Sequence, residues 1–285
     1  MTPNHNITID RDTCITCGRC VRVCPSEIFF LADSAVNVNT EFKCIACGHC
    51  VDACPAGAVH HPLFGPDKRH PSDRSVVASP QALMSLVRMR RSNRAFRKEP
   101  VPAELIDSII EAAHLAPTAS NAQEIEFVVV TKAEHIDMII DHVLGFFTDI
   151  FNKITLPVVR TVVRRLAPGL WRYVPAFERM KKARQNGGDP ILRGATAVIF
   201  ICADAKSRFG CQDANLAYQN GSLMAESLGI SQVYTGFVCT VMAKDKKLRK
   251  KLGIKGKVHA GMALGLPAFQ YPWHVDRNPA KVTYL

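Results

Sequence analysis

Helical spacing of apolar residues is clear past residue 79. Ser79-Pro80 offers an N-cap and a proline at the first helical position, and Leu83, Leu86 and Val87 then share one face. A second helix is predicted from Pro102 to about Leu115, with Leu105, Ile106, Ile109, Ile110 and Ala113 on one side. Short continuous apolar runs predict strands at Ile125–Val130 and Thr196–Cys202. A long helix from about Asp213 to Leu228 stops at Gly229. Val233–Val238 predicts a strand, Lys244–Leu252 a short basic helix stopped by Gly253, and His259–Leu266 a last strand closed by Pro267. The alternation of helices and strands predicts an α+β or α/β arrangement, with helices around a sheet.

Residues 141–190 interrupt that alternation. Nine Lys/Arg and four Asp/Glu are interleaved with Phe146, Phe147, Phe151, Leu156, Val158, Val159, Leu170, Trp171, Tyr173 and Phe177, and Pro157, Pro168 and Pro175 cut the stretch into short helices. It reads as a helical insertion packed on the sheet or as a lid over a ligand pocket. A basic amphipathic surface resting on a membrane or a partner ranks below both, because the prolines forbid one long surface helix.

The 285 residues allow about two domains, and 47% hydrophobic content suits a well-cored globular protein. The longest clean apolar run, Ala195–Ala203, has nine residues, short of the roughly 20 needed to span a membrane. Met1–Asp10 has neither a charged start nor an apolar core, so no signal peptide is expected and the chain reads as cytoplasmic. The net charge of +11 is uneven: residues 1–60 carry four Lys/Arg against six Asp/Glu, or −2, which leaves +13 for the rest. A basic body is compatible with nucleic acid, but no helix-turn-helix, finger or RNA-binding signature accompanies it. Anionic cofactors and acidic partners account for the same charge.

Cysteine spacing changes the picture most. Eight of the 11 cysteines form two copies of one pattern, Cys14-x-x-Cys17-x-x-Cys20-x-x-x-Cys24-Pro25 and Cys44-x-x-Cys47-x-x-Cys50-x-x-x-Cys54-Pro55, offset by 30 residues. Three thiolates on one tight loop can hold three irons of a cubane while the fourth reaches the other cluster. Cys14, Cys17, Cys20 and Cys54 are thus expected to hold one 4Fe-4S cluster, and Cys44, Cys47, Cys50 and Cys24 the other. Structural zinc prefers ligands in pairs, and disulfides imply an oxidising compartment; neither suits three-plus-one runs ending in Cys-Pro. Ile7–Val59 resembles the bacterial two-cluster ferredoxins along its full length. Residues 1–60 are therefore expected to form that domain. His60–Pro80, with four prolines and no periodicity, reads as a linker over 61–79 in which His60, His61 and His70 are solvated. Cys202, Cys211 and Cys239 have no paired spacing and read as buried thiols.

A second constellation lies in residues 80–285. Arg90-Arg91-Ser92-Asn93-Arg94-Ala95-Phe96 follows one helix and precedes another; Ala116-Pro117-Thr118-Ala119-Ser120-Asn121-Ala122-Gln123 precedes a strand; Tyr234-Thr235-Gly236-Phe237 and Arg277-Asn278-Pro279-Ala280-Lys281 come later. In order and spacing these four pieces resemble the FMN-dependent nitroreductase family, so the whole chain looks like a ferredoxin–nitroreductase fusion: a small two-cluster domain before an α+β domain with a central sheet flanked by helices. The resemblance implies that Arg90, Ser92 and Arg277 take the FMN phosphate, with Arg91 beside them or facing solvent. Arg94 reaches the pyrimidine edge, Asn121 the imide edge, and the Gly236 N–H partners flavin N5 with Thr235 alongside. Guanidinium–phosphate pairing and a fixed cation near N1 and O2 are the chemistry such residues supply. Family members often carry Gln-Pro-Trp after the Asn, where this chain has Gln123-Glu124-Ile125, and many carry Gly-x-Gly-x-Cys-x-x-Gly where this one has Tyr234-Thr235-Gly236-Phe237-Val238-Cys239. No catalytic residue is assigned. Tyr218 and Tyr234 read as core.

The expected function is electron passage from a low-potential donor (a ferredoxin or similar carrier, with NAD(P)H as the alternative) through two 4Fe-4S clusters to FMN. The flavin then reduces a nitro compound or activated double bond in a homodimeric enzyme. The competing expectation is a flavin and iron–sulfur electron-transfer or redox-sensing module that acts on a partner protein. Walker and dinucleotide glycine motifs are both missing from the sequence.

Overall fold

The computed structural model describes residues 6–285, with the side chain of Leu170 excepted. Met1–His5, half of the opening decapeptide, lie outside the described residues. The chain forms two compact units: one runs to Ala78 and takes in Thr118–Gln123, the other comprises Ser79–Pro117 and Glu124–Leu285.

The first unit is a duplicated half-domain. Strand β1 (Thr8–Ile9) precedes helix α1 (Arg19–Val23), strands β2 (Phe29–Ala32) and β3 (Ala35–Val38), helix α2 (His49–Asp52) and strand β4 (Val59–His60). β1 pairs antiparallel with β4 and β2 with β3. Both one-turn helices start from a glycine in the left-handed region, Gly18 at φ 67° and Gly48 at φ 78°, a conformation that a Cβ disfavours. Ile7, Ile28, Phe29, Val36, Val51 and Val59 form the small core together with Cys20 and Cys50.

The expected linker is partly ordered into this unit. β4 takes Val59–His60, and single turns form at Pro66–Lys68 and Arg74–Val76. His60 and His70 are exposed as expected, but His61 is 4% exposed and not solvated. Proline content marked the absence of long elements and said nothing about burial of the side chains between them.

The second unit opens with α3 (Pro80–Met89), where Ser79 Oγ accepts the Ala82 N–H at 3.1 Å as the cap pattern predicts. It continues with α4 (Ala103–His114), β5 (Glu126–Val130), α5 (Ala133–Ile154), α6 (Pro157–Leu166), α7 (Pro168–Trp171) and α8 (Val174–Gln185). Then come β6 (Ala197–Ala203), α9 (Gly210–Ser227), β7 (Ser231–Tyr234), α10 (Gly236–Lys244), α11 (Lys246–Lys251) and β8 (Lys257–Gly265). The strands lie in the order β5-β6-β8-β7, and every pairing is antiparallel. This decides for α+β over α/β, whose sheets are mostly parallel.

β6 is buried at every position because helices cover both faces of the sheet. Successive side chains point to opposite faces. Ala197, Ile199 and Ile201 meet Ile106 and Ile109 of α4 and Ala214, Ala217 and Tyr218 of α9. Val198, Phe200 and Cys202 meet Ile139, Ile140 and Val143 of α5 and Val238, Val241 and Met242 of α10. Gly229, at φ 71°, ends α9 with the Ile230 N–H bonded back to Ala225 O at 2.8 Å.

The expected strand over Val233–Val238 is corrected. β7 ends at Tyr234, and α10 begins two residues later. Val238, Val241 and Met242 recur at helical spacing and are fully buried, whereas the short β-branched run alone could not distinguish helix from strand. The insertion is helical as expected, although its first helix begins upstream, at Ala133. α6 buries none of its residues, and Val158 and Leu166 are among its exposed apolar side chains. Among the described residues no helix is long and apolar enough to cross a membrane. Of the unpaired thiols Cys202 is buried, Cys239 is half-buried and Cys211 is exposed, so the expectation of burial fails for Cys211.

Candidate functional sites: two thiol cavities and an arginine cavity

The eight motif cysteines separate into two cavities within the first unit. One is lined by Cys14, Cys17, Cys20 and Cys54 among Ile9, Val36 and Val59. The other is lined by Cys24, Cys44, Cys47 and Cys50 among Ile7, Ile28 and Phe29. Each cavity thus takes three sulfurs from one loop and the fourth from the other repeat. Local backbone explains the crossing. Pro25 and Pro55 follow the fourth cysteines and carry them out of α1 and α2, and the Ile28 and Ala58 N–H groups, each four residues on, donate to Cys24 and Cys54 Sγ at 3.3 and 3.2 Å. Burial pushes the Cys20 and Cys50 thiols up, Cys50 to about 12. A thiolate at such a site calls for a positive charge beside it. Among the described residues no three His, Cys, Asp or Glu side chains are grouped around a single metal ion; each set of four thiols surrounds a shared space.

In the second unit, Arg90, Arg91, Ser92, Arg94 and Arg277 line one cavity of about 540 Å³, along with Arg88, Tyr271, His274 and Asp276. The arginine segment is held at the sheet edge beside β7. Ser92 bridges Gln232 in parallel, and the Asn93 N–H donates to Gln232 O at 2.9 Å. The Gln232 side chain is fully buried; its Nε2 donates to Arg91 O at 3.0 Å and its Oε1 accepts from Tyr218 OH. Asn93, 3% exposed, donates to Ser231 Oγ at 2.8 Å and accepts from the Ala95 N–H at 3.0 Å. The Arg91 guanidinium lies over the Tyr271 ring at 5.8 Å and donates to Trp273 O at 3.4 Å, tying the C-terminal segment to the same place. Burial raises the pKa of Glu226, and Arg90 and Arg91 oppose that rise.

Asn93 and Gln232 were missed in the sequence. A polar residue inside the apolar Ile230–Tyr234 run was the available signal for Gln232, because a buried amide must find partners. Tyr218 is a core residue as expected and bonds Gln232; Tyr234 is half-buried against the core, its OH 3.2 Å from both Asn215 Oδ1 and His259 O.

Thr235 and Gly236 do not line the arginine cavity. They follow directly from β7, the strand that holds the arginine segment. The Thr235 N–H donates to Gly261 O at 2.9 Å, and its side chain occupies the space that a Cβ on Gly261 would fill. Gly236 starts α10, where the first N–H groups lack intrahelical partners. A Cβ there would meet only Tyr234, at 3.8 Å. Phe237, next in sequence, packs edge-on against Phe147 of α5 and Phe177 of α8 at 5.5 and 5.7 Å, so the insertion abuts the start of α10. Asn121 lies in the first unit, where its Nδ2 donates to Ala46 O at 2.8 Å. Ser120, Asn121 and Gln123 all hold positive φ, at 53°, 52° and 50°, a concentration of backbone strain that only surrounding contacts can hold.

The model of the nitroreductase family matches residues 87–266, and that of a 4Fe-4S dicluster domain matches residues 6–55. The chain belongs to the nitroreductase family, here fused to a ferredoxin-type N-terminal domain, and is an oxidoreductase. It is 28% identical over 191 residues to an Archaeoglobus fulgidus protein described as "Putative NADH dehydrogenase/NAD(P)H nitroreductase", an alignment covering 65% of this chain and 84% of that one. A Methanothermobacter thermautotrophicus protein of the same description is 25% identical over 158 residues; the match covers 54% of this chain and 60% of the relative's length. Among solved structures, a nitroreductase with bound FMN from Desulfitobacterium hafniense superposes with a TM-score of 0.53 at 22% identity, covering 71% of this chain and 97% of that one.

Proposed function

We propose that this protein is an FMN-dependent oxidoreductase in which two 4Fe-4S clusters pass electrons to the flavin for reduction of a small organic acceptor, a nitro compound or an activated double bond. The observation that carries the reading is the double convergence of donor sets. Eight thiols divide into two four-sulfur cavities, and five arginines with Ser92 surround one cavity in the same chain.

The residues suit these groups. Thiol cavities with apolar walls and N–H donors aimed at sulfur are matched to thiolate-ligated cubanes. Cys14, Cys17, Cys20 and Cys54 would hold one cluster, and Cys24, Cys44, Cys47 and Cys50 the other. Converging guanidiniums, one lone carboxylate and a hydroxyl suit a phosphate, so Arg90, Ser92 and Arg277 would grip that of FMN, with Arg91 held in place by Tyr271. Arg94 would oppose charge at the pyrimidine edge. The Gly236 N–H, at the N-terminus of α10 and unobstructed by a side chain, would donate to the ring, with Thr235 buttressing the turn. Asn121 stands for the imide edge on the resemblance alone. The aromatic contact between the insertion and Phe237 supports a lid over that end. Bound FMN supplies two-electron storage and hydride delivery. We assign a low-potential carrier protein or NAD(P)H as donor and a homodimer as the assembly.

Anaerobic reconstitution of the full chain tests this directly. Flavin absorption and about eight irons per chain are expected, with the flavin bleaching after the clusters are reduced. A chain that binds iron but no FMN, or clusters that never bleach the flavin, would overturn the proposal.

A further inference from the structure

The two thiol cavities are related by a 30-residue repeat, and their backbones correspond closely. Thr16 and Ala46 hold φ 55° and 53°, Gly18 and Gly48 φ 67° and 78°. Ile28 and Ala58 donate to Cys24 and Cys54 Sγ at 3.3 and 3.2 Å. Around Cys44 the correspondence fails. Cys44 Sγ receives the Ala46 N–H at 3.3 Å and faces His61 Nε2 at 3.6 Å. The position 30 residues before His61 is Leu31, a half-exposed side chain with no polar atom.

The tautomer of His61 follows from its other nitrogen. The Leu63 N–H donates to Nδ1 at 3.2 Å, so Nδ1 is an acceptor and the neutral ring carries its hydrogen on Nε2. That hydrogen points to Cys44 Sγ. The ring is 4% exposed and packs on Phe64 with centroids 4.7 Å apart, so it cannot swing away to water.

We propose that His61 makes the two clusters unequal: by donating Nε2–H to Cys44 Sγ it raises the reduction potential of the cluster bound by Cys24, Cys44, Cys47 and Cys50. The inference rests on the iron–sulfur reading above. A donor on a ligand sulfur stabilises the more negative, reduced cluster. The cluster would take up one electron on reduction, and no proton would move, because Nε2 keeps its hydrogen. Cys20 and Cys50, the corresponding thiols of the two repeats, are buried alike at 7% and 8% exposure, so the contribution of His61 is read by changing that residue alone.

The test is a redox titration of the reconstituted full chain followed by electron paramagnetic resonance. His61→Leu copies the other half of the repeat. It is expected to lower one midpoint by about tenfold in the reduction equilibrium, about 59 mV for one electron, and to leave the other in place. His61→Gln, which keeps an N–H donor, should restore part of the shift. Two unchanged midpoints, or two that move together, would overturn the proposal. Should His61→Leu fail to take up iron, wild type and His61→Gln, both labelled with ¹⁵N-histidine and both keeping His49 in the same cavity, decide: nitrogen modulation on one reduced cluster signal that weakens in His61→Gln is expected, and equal modulation in the two sinks the idea. A wild-type chain without iron and sulfide would instead sink the iron–sulfur reading itself.

Discussion

The thiol cavities and the arginine cavity are built in opposite ways. Each thiol cavity takes three sulfurs from seven consecutive residues, so tight loops and the glycine-started turns at Gly18 and Gly48 set its geometry. The arginine cavity draws on residues as far apart as Arg88 and Arg277, and a sheet edge, a buried amide and a C-terminal segment assemble it. A local site tolerates changes elsewhere in the fold and fails with its own ligands. A dispersed site also depends on residues that never touch the ligand.

The largest expected effect tests the local side of this contrast. Cys47→Ser should reduce bound iron from about eight to about four per chain and lower the thermal midpoint of the first unit, since cluster binding is also folding energy. Iron content by colorimetric assay reads the outcome, and full retention would break the assignment of Cys47. Next comes the arginine cavity. Arg277→Ala removes one charge-assisted contact, a loss of about 1.5–3 kcal/mol, and FMN fluorescence titration should show affinity falling at least tenfold with iron unchanged.

Gln232→Leu sharpens the contrast further, because Gln232 lies behind the arginine segment and does not line the cavity. It would leave Arg91 O and Tyr218 OH buried without their partner, costing about 1–3 kcal/mol. Urea unfolding should show that loss in the second unit, and FMN affinity should fall although no proposed ligand has changed. Unaltered FMN binding would mean that the segment holds itself.

The smallest effect concerns pH. Burial, with Lys257 adding to it, lowers the pKa of His259 below its usual 6.5, and its buried Nε2 has no partner among the described residues. The folded protein therefore keeps the ring neutral while the unfolded chain takes up a proton near pH 6.5. This contribution to stability is complete above that pH and is lost as pH falls toward the lower folded value. Denaturant midpoints between pH 7.5 and 5 should fall for the wild type and fall less for His259→Leu; parallel curves would show that His259 is not responsible.

Legibility followed the same division. Cysteine spacing predicted the same two sets of four thiols that line the two cavities, three from one loop and the fourth from the other repeat. Ser79, Gly229 and Gly253 marked helix ends because capping is local chemistry. The arginine segment was recognisable only through its likeness to a family. Its supports, Asn93 and Gln232, were not seen, because one polar residue in an apolar run does not reveal which carbonyl it will meet. The Val233–Val238 run failed at Thr235, where pairing to Gly261 on a distant strand sets the turn. His61 was misjudged for a related reason: proline-rich composition concealed a side chain whose partner, Cys44, lies 17 residues away.

β6 also constrains how the chain is made. Its seven residues are apolar on both sides, and its neighbours are β5, far upstream, and β8, which ends at Gly265. On a ribosome this strand emerges well before the partner that closes over its open edge. Nascent or truncated chains ending before β8 would carry a bare, sticky ribbon. Such fragments should accumulate in inclusion bodies or on chaperones, while the cysteine-rich leading portion is already complete.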